Sequence, residues 1–151
     1  MRCPVPVLVL LLLLAALVLP VSAADTNRIG YLSLDGVSIE LQGPDARIEV
    51  DYALDPGMDM IILLFGKSDL QRKLEKALNF PSLRAGEVGL THAVFTEIHA
   101  AENYGERAFW FPPHRFGITF PRVRVEAPGY SLSFTDARSI PRGFGYFGAD
   151  S

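Results

Sequence analysis

From Arg47 to Leu54 apolar and charged positions alternate without a break. Ile48, Val50, Tyr52 and Leu54 fall on one side, Arg47, Glu49 and Asp51 on the other. That period of two predicts a strand with one face buried and one face wet. Asp55-Pro56-Gly57 carries turn chemistry, proline presetting φ and glycine accepting positive φ. Met60–Phe65 is then apolar throughout, too short a run for a free-standing helix, and it predicts a central strand. Ser68 and Gln71 stand three apart, the spacing of a capping box. Beyond them Leu70, Leu74 and Leu78 form an apolar stripe, with Arg72, Lys73, Glu75 and Lys76 outside it. The spacing predicts one amphipathic helix near residues 68–79, closed by Phe80-Pro81 because proline cannot continue it.

Upstream, Ile29–Leu34 and Val37–Leu41 flank Asp35-Gly36, a pair suited to a tight hairpin turn. Gly43-Pro44-Asp45 reads as the next turn, so the first half is expected to be a four-stranded meander running into the helix. Leu83–His99 is long for one strand and predicts two, or one broken by a bulge near Gly89 or Ala93. Val88, Leu90, His92 and Val94 share its expected apolar face, and Ala93 and Phe95 the other. Ala100–Glu106 reads as a loop. Arg107–Phe111 is a short aromatic strand interrupted by Pro112-Pro113; Arg115–Phe120 resumes, with Pro121 marking an edge or a bulge. Arg122–Glu126 and Tyr130–Thr135 flank Ala127-Pro128-Gly129 as a hairpin, with Tyr130, Leu132 and Phe134 inward. Phe144, Tyr146 and Phe147 are costly to leave in water, so the tail is expected to dock. The fold expected is mainly β, an antiparallel sandwich or rolled sheet of roughly seven to nine strands with one helix.

The first two dozen residues stand apart. Arg2 begins a short positive region, Val5–Leu19 is apolar apart from Pro6, and Val21-Ser22-Ala23-Ala24 offers small residues for cleavage. This is the pattern of a secretory signal peptide. The rival is an uncleaved anchor, since a helix over Val5–Leu19 spans roughly 22 Å and one extended to Ala24 approaches the bilayer core. Either way residues 25–151 are expected to form a single extracytoplasmic domain, secreted or tethered, touching a membrane only through residues 5–24 if these are retained. Losing Arg2 moves the net charge from −3 to −4, and no basic cluster suggests a nucleic-acid partner. The single cysteine, Cys3, precedes the apolar run, so the domain is expected to hold without disulfides. No Asn-x-Ser/Thr sequon is present.

Candidate chemistry is sparse. His92, His99 and His114 are the only imidazoles. Glu97 and His99, two apart on a strand, project from one face, and with His114 they make the best available metal-ligand set, although no metal motif supports it. The Phe109-Trp110-Phe111-Pro112-Pro113-His114-Arg115 stretch offers aromatics beside a stiff segment, a possible platform for a sugar ring or a peptide. Against that stands a core role for Phe109 and Phe111, with Trp110 covering an edge. Arg122 and Arg124 can hold an anion or simply keep a strand face wet. Asp51, Asp55 and Asp59 lie close enough in sequence for a cation, though turn geometry already explains Asp55. Gly66-Lys67-Ser68 lacks the upstream glycine of a phosphate loop, since Ile61 stands there. No serine has the context of an activated nucleophile, and no cysteine lies in the expected mature domain. The expectation is an exported, non-catalytic module without a cofactor, binding a protein, glycan or envelope component through Phe109, Trp110, Phe111, His114 and Arg115. The alternative is a small exported metal-binding protein or hydrolase centred on Glu97, His99 and His114; an anchored structural subunit is a third.

Overall fold

The structure, a computed structural model, describes residues 26–149. The apolar N-terminal run lies outside them. Ten strands and two helices follow in the order β1 (Arg28–Ile29), β2 (Leu32–Gln42), β3 (Asp45–Leu54), α1 (Met58–Phe65), α2 (Ser68–Leu78), β4 (Leu83–Val88), β5 (His92–Glu97), β6 (Glu102–Asn103), β7 (Ala108–Phe111), β8 (His114–Ala127), β9 (Tyr130–Ile140) and β10 (Phe144–Phe147). The described residues are mainly β, with 56% of them in strands, and the sheets are not closed. The large sheet runs β4-β5-β3-β2-β8-β9 with β1 beside β2; the small one runs β10-β7-β6. All pairs are antiparallel except β2 and β8, which run parallel.

The alternating stretch Arg47–Leu54 forms β3, its Ile48, Val50 and Tyr52 buried. They join Leu32, Leu34, Val37, Ile39 and Leu41 of β2, Ala93 and Phe95 of β5, and Phe116, Phe120, Val123 and Val125 of β8 in one core. The leucine stripe of α2 closes part of it, with Leu70, Leu74 and Leu78 fully buried. Phe109, Phe111, Phe144 and Tyr146 of the small sheet complete it. The tail docks as expected through β10, which pairs with β7 and leaves only Phe147 outside.

Asp35-Gly36 does not turn the chain. β2 is continuous through it, with a bulge between Leu34 and Gly36. One extra residue keeps Leu34 and Val37 both inward, which is also what a two-residue hairpin does to its flanking positions. Gly36 is pressed against the neighbouring strand, since a Cβ there would stand 3.4 Å from the Arg122 carbonyl oxygen. The real hairpin is Gly43-Pro44, joining Gln42 to Asp45.

Met60–Phe65 is not a strand. It belongs to α1, because β3 already has β2 and β5 on its two edges and a helix satisfies its backbone groups internally. Gly57, at φ 86°, starts it, and Gly66, at φ 93°, ends it by donating its N–H to Ile62 O at 2.8 Å. The capping box is absent too: Lys67 occupies the cap of α2 without a side-chain bond, and Gln71 Nε2 donates to Glu75 Oε1 instead. Leu83–His99 resolves into β4 and β5, and the buried face is Ala93, Phe95 and Glu97 rather than the His92 side. The loop Ala100–Glu106 contains the two-residue β6. Pro121 lies within β8 beside a register break with β9 and before the parallel pairing begins at Val123. Of the expected inward set on β9, Leu132 and Phe134 are half-buried and Tyr130 is exposed.

Candidate functional site

The aromatic stretch divides by strand alternation. Phe109 and Phe111 face the core, their rings 5.6 Å from Tyr146 and 5.5 Å from Phe144 respectively. Trp110 points outward, 39% exposed, and lies over Gly143, where an added Cβ would meet its ring at 2.6 Å. Phe147 shares that outer face, because paired positions on adjacent strands point the same way and its partner is Ala108. Trp110 is thus the one exposed ring of the stretch, with Phe147 its diagonal neighbour on the adjacent strand. His114 is stacked on Phe80 with centroids 3.7 Å apart, and its Nε2–H donates to Leu78 O at 2.8 Å. Burial holds its pKa below the ordinary value, against the opposing pull of that bond. Arg115 is exposed, and its carbonyl accepts a bond from Asn79 Nδ2 at 2.9 Å. His114 and Arg115 thus serve the seam between α2 and β8.

Glu97, His99 and His114 are not drawn together. Glu97 is 1% exposed and accepts the Ser82 backbone N–H at 3.0 Å. Burial raises its carboxyl pKa, partly offset by that bond. His99 sits in a left-handed turn at φ 59°, its backbone N–H donated to Asp45 Oδ1 at 2.9 Å. Among the described residues no group of three or more His, Cys, Asp or Glu side chains could hold a metal ion. The aspartates are also dispersed: Asp51 pairs with His92 at 2.8 Å, Asp55 with Arg28 at 2.6 Å, and Asp59 lies in α1.

The outer face of the large sheet is polar. Gly36 and Ser38 floor a groove of about 430 Å3 between Asp51 and the Arg122–Arg124 pair. Arg124 is bound to Glu126 at 2.8 Å. A second cleft, about 660 Å3, lies at the other end of β2 between Gln42, Arg107, Phe109 and Pro128.

The feature that sequence periodicity missed is α1. Met60, Ile61, Leu63, Leu64 and Phe65 are 66%, 47%, 66%, 73% and 84% exposed, and Ile62 alone is buried. At about 100° per residue these five side chains cover an arc of roughly 200° with no polar atom in it. The signal was present, in that the apolar run is bounded by Gly57 and Gly66, but apolar runs are read by default as buried. Comparisons with protein-family models, with characterised proteins and with solved structures return no match.

Proposed function

We propose that this chain is an exported, non-catalytic β-rich module that binds a component of the cell envelope, and that its contact surface is α1. The observation that carries this reading is the wholly apolar exposed arc of Met60, Ile61, Leu63, Leu64 and Phe65, since contiguous apolar surface of this kind marks interaction sites. The Nε2–H of His114 is committed to the Leu78 carbonyl and its ring to Phe80, which favours a structural role for that imidazole. The export signal read in residues 1–24 supplies the compartment. The β-rich domain is a carrier that presents α1, in an arrangement closer to a layered sheet assembly than to a barrel.

The test is site-specific photocrosslinking in the native host, with a photoreactive residue at Leu64, at Trp110 or at Pro128. Adducts from position 64 and none from 128 are expected. Adducts from 110 alone would return the contact to the aromatic stretch, and no adduct from any position would refute the binding reading.

A further inference from the structure

We infer that the surface α1 contacts is the lipid bilayer that holds, or has just released, the chain's own N-terminal apolar segment. This rests on the reading that the chain is exported and binds through α1. It says what lies against the helix.

Three observations converge. The first is the breadth of the arc. A protein groove recognises a stripe of about 100°, whereas the apolar arc of α1 is roughly twice that wide. Exposed Asp59 borders it on one side, and Ser68, Asp69 and Arg72 share a hollow with Ile61 and Phe65 on the other, charges suited to the headgroup level. The second is length. Among the described residues no helix is long and apolar enough to cross a membrane; eight residues of helix measure about 12 Å. Such a helix, with its backbone bonds closed internally, suits the boundary between headgroups and acyl chains, into which apolar faces sink by roughly 5–10 Å.

The third observation is where the apolar segment joins the domain. Thr26, the first described residue, is two residues from Arg28, whose guanidinium grips Asp55 at 2.6 Å. Asp55 also donates its N–H to Tyr31 O at 2.9 Å, and the turn it begins leads straight into α1. Six residues, Pro20 to Asp25, separate Leu19 from Thr26, so seven Cα steps reach at most roughly 25 Å. A bilayer holding Val5–Leu19 is therefore within reach of α1. The β8–β9 turn at Pro128 stands at the opposite end of β2, roughly 35 Å away at strand rise.

The experiment uses the full chain with Cys3→Ser, reconstituted into vesicles of phosphatidylethanolamine and phosphatidylglycerol. An environment-sensitive dye is placed on Leu64→Cys or, as a control, on Pro128→Cys. Replacing the lipids by brominated acyl chains is expected to quench the dye at 64 about twofold, because that depth brings it beside the bromines, and to leave the dye at 128 unchanged. Dye at 64 that ignores brominated lipid overturns the inference. If position 64 still forms protein adducts in the host, the binding reading survives and α1 faces a protein. A dye response that follows protein concentration without lipid overturns it in favour of a second copy. Leu63→Asn with Leu64→Asn, at exposed positions, is expected to keep the circular dichroism spectrum and to abolish quenching of a dye placed at Met60→Cys.

Discussion

Gly117→Ala tests how the helix α2 is seated. An added Cβ at 117 would stand 2.2 Å from the Lys76 carbonyl oxygen and 3.3 Å from its carbon. Ordinary contacts begin roughly 1 Å further out, so the last turn of α2 must lift by about that much. It cannot lift freely. Leu70, Leu74 and Leu78 are fully buried beneath it, His114 donates to Leu78 O, and Asn79 donates to Arg115 O. Overpacking of this kind costs about 1–3 kcal/mol, and stretching two hydrogen bonds adds about 1 kcal/mol each at most. The expected loss is about 3 kcal/mol, or a fall in Tm of about 12 °C for a domain of this size. Urea titrations and thermal scans followed by far-ultraviolet circular dichroism and by Trp110 fluorescence would measure it. Gly145→Ala is the control, since its Cβ meets nothing nearer than 3.6 Å. A Gly117→Ala protein within about 0.5 kcal/mol of wild type, no worse than the control, would refute the close seating of α2 on β8.

The remaining predictions concern titration, metal and surface. Burial raises the Glu97 carboxyl, so the unfolded chain gives up its proton first as pH rises past about 4.3. Stability contributed by the protonated form is then lost as pH climbs toward the folded value; Glu97→Gln should flatten that stretch of a urea-midpoint profile. His114 is held below its ordinary value, so the unfolded chain takes up a proton first as pH falls past about 6.5, and stability present above that point is lost below it. His114→Gln should remove this acid-side slope, and a slope unchanged in the variant would clear His114 as its source. Excess zinc is expected to leave Tm unmoved, because Glu97, His99 and His114 do not cluster; a rise that follows zinc concentration would restore the metal reading. Leu63→Asn with Leu64→Asn should lower stability by no more than about 1 kcal/mol in a urea titration, roughly half a kcal/mol of helix propensity at each exposed position.

What the sequence made legible follows from which physical signals are unambiguous. The leucine stripe of α2 and the alternation of β3 each commit every residue to a face, and both elements appear where the pattern puts them. The Pro128-Gly129 hairpin is equally plain, because the register has to reverse there. Asp35-Gly36 misleads for a definable reason. A tight hairpin and a single-residue bulge leave Leu34 and Val37 on the same face, so the alternation fits both, and only the parallel neighbour β8 decides. Alternation groups His92 with the apolar Val88, Leu90 and Val94; Ala93 and Phe95, fewer but central, face the core instead, while His92 meets Asp51. The aromatic stretch was legible as an alternating strand but not as a site, since nothing in its own sequence says that Phe144 and Tyr146 will cover Phe109 and Phe111.

The run Met60–Phe65 is the instructive failure. The inference from an apolar run to burial is sound as thermodynamics and incomplete as geometry. Full burial of a large apolar side chain is worth about 1.5–3 kcal/mol. With five such side chains between 47% and 84% exposed, the unburied remainder is on the order of 5–10 kcal/mol, comparable to the whole stability of a domain. A chain does not gain that by folding alone, because the edges of β3 are taken and only Ile62 finds the core. The pattern therefore reports a burial that the domain does not provide, and periodicity carries no information about which medium provides it. That information comes from position: the run leaves the sheet at the Asp55 turn, which is held by Arg28, two residues after the first described residue, Thr26. Under the proposal made above, a bilayer offers the burial that the domain itself does not provide.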